Sequence, residues 1–204
     1  MAKKNSNGDD RARQLLAQEA ARIIVDHGLR DYRLAKIKAA ERLGLNSRGA
    51  LPSNTEIELA VSEHLQLFGG ESHARLLRMM REAAISAMEL LASFSPRLVG
   101  PVLSGTADAN SSVNLHVFAD SPEFVANDLD GLGFAYRPYE RRLRSRPDRR
   151  SRAETFAGFQ FRHQDASVQA TVFPVDGIRQ APISPIDGRP MKRADLKAVR
   201  SLLD

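Results

Sequence analysis

Two stretches of the chain carry side chains whose type and spacing could do chemistry. In the first, LVGPVLSGTADANSSVNLHVFAD over residues 98–120, Gly100 and the pair Ser104-Gly105 offer close backbone approach and a hydroxyl. Further on, Ser112, Asn114 and His116 alternate with Val113, Leu115 and Val117. Period-two alternation puts the polar three on one face of a strand and the apolar three on the other. Amides and hydroxyls on such a face can hydrogen-bond a polar ligand, but they lack the charge that a hard divalent cation requires. His116 has no second histidine or carboxylate at ligand spacing, so it makes a poor metal site and reads more simply as part of a covered face. In the second stretch, Arg137, Arg141, Arg142, Arg144, Arg146, Arg149, Arg150 and Arg152 are opposed only by Glu140 and Asp148. Guanidinium groups at this density make a local positive field that fits phosphate. Two readings of it stand side by side: a phosphate-binding strip on nucleic-acid backbone, or a solvated hairpin loop over Ser145–Ser151. Phe134, Tyr136 and Tyr139 precede the run rather than interleave with it, unlike a base-stacking platform.

The elements that must position these residues change character near Pro96. Before it, apolar residues recur at helical spacing. Ala12, Leu15, Leu16, Ala20, Ile23 and Ile24 predict a helix over residues 10–27, stopped by Gly28. Leu34, Ile37, Ala40 and Leu43 form the expected buried stripe of a second helix that Gly44 ends, with Arg33, Lys36, Lys38 and Arg42 on its exposed face. Ser53 and Glu56 have capping-box spacing before Ile57, which starts a third helix. A fourth covers residues 71–93. After Pro96, β-branched and aromatic residues in short blocks bounded by Gly, Pro, Asn and Asp predict strands over 97–103, 113–119, 134–143, 155–163 and 167–173. A helix over 122–129 separates the second and third strands, and Gln164-Asp165-Ala166 makes a hairpin connection. Residues 174–190 read as loop and 193–203 as a last helix. The expected organisation is a disordered tail over 1–9, a helical region over 10–95 and an α+β domain over 96–204.

Composition narrows the function classes. With no cysteine, a disulfide framework, a thiolate zinc site and a thiol nucleophile are all excluded. No apolar run reaches membrane-spanning length and the start, MAKKNSNGDD, lacks an apolar signal core, so the expected location is the cytoplasm with no membrane partner. A net charge of +5 and a pI near 9.9 fit an acidic or phosphate-bearing partner.

Residues 98–120 resemble the active-site motif of the polymerase-beta type nucleotidyltransferase superfamily. That motif has an apolar residue, Gly-Ser, a second glycine a few residues on and, about a dozen residues after the Gly-Ser, a strand carrying Asp-x-Asp. Gly100 sits at the first glycine, Ser104-Gly105 resembles the second element, and Ser112-Val113-Asn114 stands in the Asp-x-Asp position. A long helix precedes the motif, and an arginine-rich hairpin follows, a layout similar to uncharacterised bacterial proteins of this superfamily. The resemblance spans about residues 96–173 and implies a mixed sheet preceded by helices. It also implies that the strand over 113–119 lies beside the strand over 167–173, bringing Ser112, Asn114 and Gln169 together near Gly100 and Gly105. In the family, two aspartates and a third carboxylate hold the metal ions that bind the triphosphate and neutralise charge on the leaving oxygens. Here all three positions are neutral, and Pro101 replaces a phosphate-holding serine, having neither hydroxyl nor N–H.

The resemblance therefore implies a degenerate member, catalytically inactive, without metal or cofactor, that binds a phosphorylated ligand or RNA. Its ligand-binding residues are expected to be Gly100, Ser104, Gly105, Ser112, Asn114, His116 and Gln169, with Arg141, Arg142, Arg144, Arg146, Arg149 and Arg150 on nucleic acid. One alternative is an active metal-dependent enzyme recruiting Asp108, Asp120 or Glu154. A second is a protein-interaction subunit, with an exposed apolar patch on the N-terminal helices. The segment AARIIVDHGLRDYRLAKIKAAERLGL has the layout of a helix-turn-helix start. Only residues 46–51 remain before Pro52 for a recognition helix, and Glu56, Glu58 and Glu63 follow with the wrong sign for DNA.

Overall fold

The computed structural model describes residues 6–29, 31–45, 51–144 and 152–203. The chain is of the α+β class and divides into two compact units, residues 1–74 and 75–204. The boundary falls within a helix, upstream of the change of secondary structure at Pro96.

The first unit is built from α1 (Ser6–His27), α2 (Tyr32–Leu43) and α3 (Asn54–Phe68). α1 begins at Ser6, so residues 6–9 belong to the helix rather than to a tail. Ser53 caps α3 in a full capping box: its hydroxyl accepts from the Glu56 N–H at 3.2 Å, and the Glu56 carboxylate accepts from the Ser53 N–H at 2.7 Å. Gly44, in the left-handed region at φ 61°, ends α2. The core of this unit is made largely of small residues, Ala20, Ala21, Ala35, Ala39 and Ala60 around Ile23 and Ile57. One expectation is reversed here. α2 buries Ala35, Ala39 and Ala40, whereas Leu34, Ile37 and Leu43 are about two-fifths exposed, at 39%, 45% and 39%. Small residues permit close helix approach, so the stripe that packs is the alanine one, a choice that hydropathy alone does not make.

α4 (Gly70–Leu90) leads into the second unit, where β1 (Arg97–Val99), α5 (Pro101–Ser104), β2 (Val113–Phe118), α6 (Pro122–Gly131), β3 (Tyr136–Leu143), β4 (Glu154–His163), β5 (Ala166–Phe173) and α7 (Leu196–Arg200) follow in order. The sheet order is β1-β2-β5-β4-β3. β2 runs parallel to β5, with Asn114 directly beside Gln169, and the other neighbours are antiparallel. Gln164 and Asp165, both at positive φ, form the β4–β5 turn.

The first strand is shorter than the sequence predicts. Gly100 adopts φ 73°, ψ −152°, a conformation open to glycine alone, and Pro101 opens α5, where its missing N–H costs nothing. The chain therefore leaves the sheet after Val99 instead of continuing to Leu103. The last helix is shorter too. Asp195 caps it by accepting from the Ala198 N–H at 2.8 Å, so residues 193–194 lie outside it. Ala194 instead pairs with Leu98 through both backbone bonds, at 2.8 and 3.0 Å, extending the sheet beyond β1.

The two faces of this sheet differ sharply. One buries Val113, Leu115, Val117, Val168, Ala170 and Val172 together with Ala84 and Met88 of α4, Leu129 of α6 and Val199 of α7. The opposite face carries Asn114, His116, Gln169, Thr171, Tyr139 and Arg141. No helix among the described residues is long and apolar enough to cross a membrane.

Candidate functional site

The polar face is assembled from β2, β5 and the edge strand β3. Its platform is Tyr139. Opposite it stands Gly158, and a Cβ there would lie 2.3 Å from Tyr139 Cζ, so the missing side chain lets the phenol ring lie flat across β4. The ring reaches β5, where the Tyr139 hydroxyl hydrogen-bonds the Thr171 hydroxyl at 2.8 Å. Burial pushes the phenol's pKa up, against the opposing pull of the Thr171 bond and the Arg141 charge, so it stays neutral.

Arg141 extends over this platform. Its guanidinium carbon lies 5.5 Å from the centre of the Tyr139 ring, a cation–π contact. Nη2 donates to Gln169 Oε1 at 2.7 Å and, at the longer distance of 3.4 Å, to Asn114 Oδ1. The Asn114 amide in turn donates to the Ser112 carbonyl at 3.1 Å. Gly100 closes the fourth side, where an added Cβ would lie 3.3 Å from Asn114 Nδ2. Ser112, Asn114, Gln169 and Gly100 thus converge, and a guanidinium sits among them bonded to neutral oxygens. No carboxylate is ion-paired with Arg141 among the described residues.

Several expected site residues stand elsewhere. α5 carries the chain away from the sheet between Gly100 and Gly105. Gly105 therefore faces Leu77 and Arg81, whose side chains would lie 3.8 and 3.9 Å from a Cβ added to it, and the Ser104 hydroxyl meets Thr106 at 2.9 Å. His116 is fully buried rather than open to a ligand. Its ring lies tilted at 51° against Phe173 with ring centres 4.5 Å apart, and its Nδ1 accepts from Arg193 Nε at 3.0 Å. Burial, then the charges of Arg193 and Arg141, push its pKa down to about 3, so the ring is neutral. Arg142 is exposed on β3, and the Arg144 carbonyl accepts from the Ile183 N–H at 2.7 Å. Arg146, Arg149 and Arg150, with the loop over Ser145–Ser151, lie outside the described residues, as do residues 46–50.

The carboxylates of the alternative enzyme reading are dispersed. Asp108 Oδ1 accepts from the Asn110 N–H at 2.9 Å and the Ser111 hydroxyl at 2.8 Å, closing a turn. Asp120 is exposed after the end of β2, and Glu154 opens β4. Among the described residues, no group of three His, Asp or Glu could hold a metal ion.

No protein-family model matches the chain, and neither a curated protein nor a solved structure matches it.

Tyr139, Thr171 and Arg193 are the parts of this face that sequence reasoning missed. Gly158 was the available signal for Tyr139, since a glycine inside a strand marks close approach by another group. Arg193 had none: its partner His116 is 77 residues away.

Proposed function

We propose that this chain is a catalytically inactive nucleotidyltransferase-like module that binds a phosphate-bearing ligand, a nucleotide or RNA, on the polar face of its sheet. The observation that carries this reading is Arg141, held by Gln169 and Asn114, two residues that the resemblance sets in the places of metal-binding carboxylates. In this reading a guanidinium does by permanent charge what the metal does in the enzymes: it attracts phosphate oxygens. Carboxylates at positions 114 and 169 would pair with Arg141 and cancel that charge, so neutral amides belong with a cation used for binding. They hold it in place and leave its charge for the ligand. A guanidinium has no exchangeable coordination site and activates no hydroxyl nucleophile, which is why the reading is binding without transfer.

The test uses the full chain. Adenosine and guanosine triphosphates should raise its melting temperature, and Arg141→Gln should abolish the rise while leaving the ligand-free protein folded. With an α-labelled triphosphate and Mg²⁺, no label should pass to protein or RNA. Chelator-sensitive transfer, or a rise unaffected by Arg141→Gln, would overturn the reading.

A second reading, a protein-interaction subunit, draws on Leu34 and Ile37, one turn apart on α2 and both substantially exposed. Light scattering on the purified chain tests its simplest form. A monomer whose solubility is unchanged by Leu34→Gln with Ile37→Gln counts against it.

A further inference from the structure

Arg141 shares its face of the sheet with a second arginine. Strand pairing sets Arg137 across from Gln160, Gln160 across from Gln169, and Gln169 across from Asn114, so these residues form one row over β3, β4, β5 and β2. Period-two alternation gives Arg137, Tyr139 and Arg141 one face of β3, and Arg142 the other. The Arg141 side chain crosses the Tyr139 ring to reach Gln169 and Asn114, which brings its guanidinium to the far end of the same row. A cation therefore stands at each end. Three strand spacings of about 4.8 Å make the row roughly 14 Å long.

The row is open at the points a ligand would use. Arg137 and Gln160 are exposed, and Asn114 and Gln169 are half-buried. Every ion pair among the described residues lies on the helices, and none engages Arg137. Gln169 accepts from Arg141 through Oε1, which leaves its amide N–H groups as donors. Gln160 donates through Nε2 to the Ser167 hydroxyl at 3.0 Å, which leaves its Oε1 as an acceptor. No acidic side chain stands in the row.

We propose that this row is the track of a single-stranded RNA, with one phosphate at Arg141 and a second at Arg137. The proposal rests on the reading of Arg141 as a phosphate-binding residue and extends it from a mononucleotide to a polynucleotide. A mononucleotide carries its charge at one end and meets one of the two cations, whereas a phosphodiester chain is charged at every unit and meets both. Between the cations, Gln160 and Gln169 present an acceptor and a donor, which suit ribose hydroxyls and base edges. The carboxylates of an acidic peptide only accept. Arg137 thus joins the binding surface, and Arg142, though next in sequence to Arg141, drops out of it.

The test compares the full chain with its Arg137→Gln, Arg141→Gln and Arg142→Gln variants. Binding of a single-stranded RNA of about ten nucleotides is followed by fluorescence anisotropy over a range of salt, and adenosine triphosphate by thermal shift. Arg137→Gln should weaken RNA binding by about threefold or more at low salt, lower the log–log salt slope by about 1, and leave the thermal shift with the triphosphate intact. Arg142→Gln, with one charge removed from the other face, should leave the RNA slope unchanged. RNA binding insensitive to Arg137→Gln, an equal loss in Arg142→Gln, or equally tight binding of a glutamate peptide of the same charge would overturn the proposal while the reading of Arg141 stands. An Arg141→Gln chain that binds both ligands like the parent would overturn that reading, and the proposal with it.

Discussion

The two faces of the sheet are written by the same strands and obey opposite rules. On β2 and β5, Val113, Leu115, Val117, Val168, Ala170 and Val172 are packed with residues of α4, α5, α6 and α7. Between them, Asn114, His116, Gln169 and Thr171 point the other way into a network of amides, hydroxyls and two arginines. The first face satisfies its needs by shape alone. The second leaves part of its hydrogen-bonding capacity unmatched, in the carboxylate-free Arg141 and in the unpartnered donors of Arg193 and His116. A buried apolar face is evidence for a fold, whereas each unpartnered buried donor on a polar face calls for an explanation of its own.

The largest effect separating the faces should come from the apolar side. Leu115, fully buried, should cost about 2–5 kcal/mol when changed to alanine, measured by urea unfolding. Nucleotide binding by the fraction that remains folded should be unaltered; a specific loss of binding would show that the faces are not separable. Next is the acid side of the polar face. The His116 pKa lies near 3 when folded and near 6.5 when unfolded, so the unfolded chain takes the proton first. The stability this residue contributes is complete above about pH 6.5 and is lost as pH falls toward 3, at up to about 1.4 kcal/mol per pH unit. Arg193 beside it and the more distant Arg141 are cations and reinforce the loss. Between pH 6.5 and 5, His116→Gln should flatten the stability profile, and an unchanged slope would remove the histidine from the account.

Smaller effects probe the platform. Gly158→Ala places a methyl group against the Tyr139 ring and should destabilise by about 1–3 kcal/mol through forced displacement. It should also weaken phosphate binding, because Arg141 rests on that ring. Tyr139→Phe removes the bond to Thr171 and should cost about 1 kcal/mol by thermal denaturation. Arg141→Gln should change stability by less than about 1 kcal/mol, as its bonds are partly open to water.

Local chemistry was legible in the sequence and long-range chemistry was not. The Ser53–Glu56 capping box, the Gly44 stop, the strand alternation at 113–118 and the β4–β5 turn depend on neighbours a few residues apart, and composition and spacing carry them. The meeting of Asn114 with Gln169 was also expected, through the resemblance and not through spacing, and it holds in the β2–β5 pairing. Three things escaped. Gly100-Pro101 ends β1 because of backbone conformation, which apolar character at 102 and 103 conceals. The alanine stripe of α2 packs in preference to its leucines. And Arg141, read from the sequence as one of a cluster, is set apart from Arg142 by the period-two alternation that turns one onto the sheet face and the other to solvent.

The central claim is that Arg141, supported by neutral Asn114 and Gln169, binds phosphate through charge. It is tested most directly by the salt dependence of single-stranded RNA binding in the parent chain and in Arg141→Gln, read by fluorescence anisotropy. The account predicts an affinity that falls steeply with salt in the parent, at least tenfold weaker binding in the variant, and a log–log slope smaller by about 1. Equal affinity and equal slope in the two chains would contradict it.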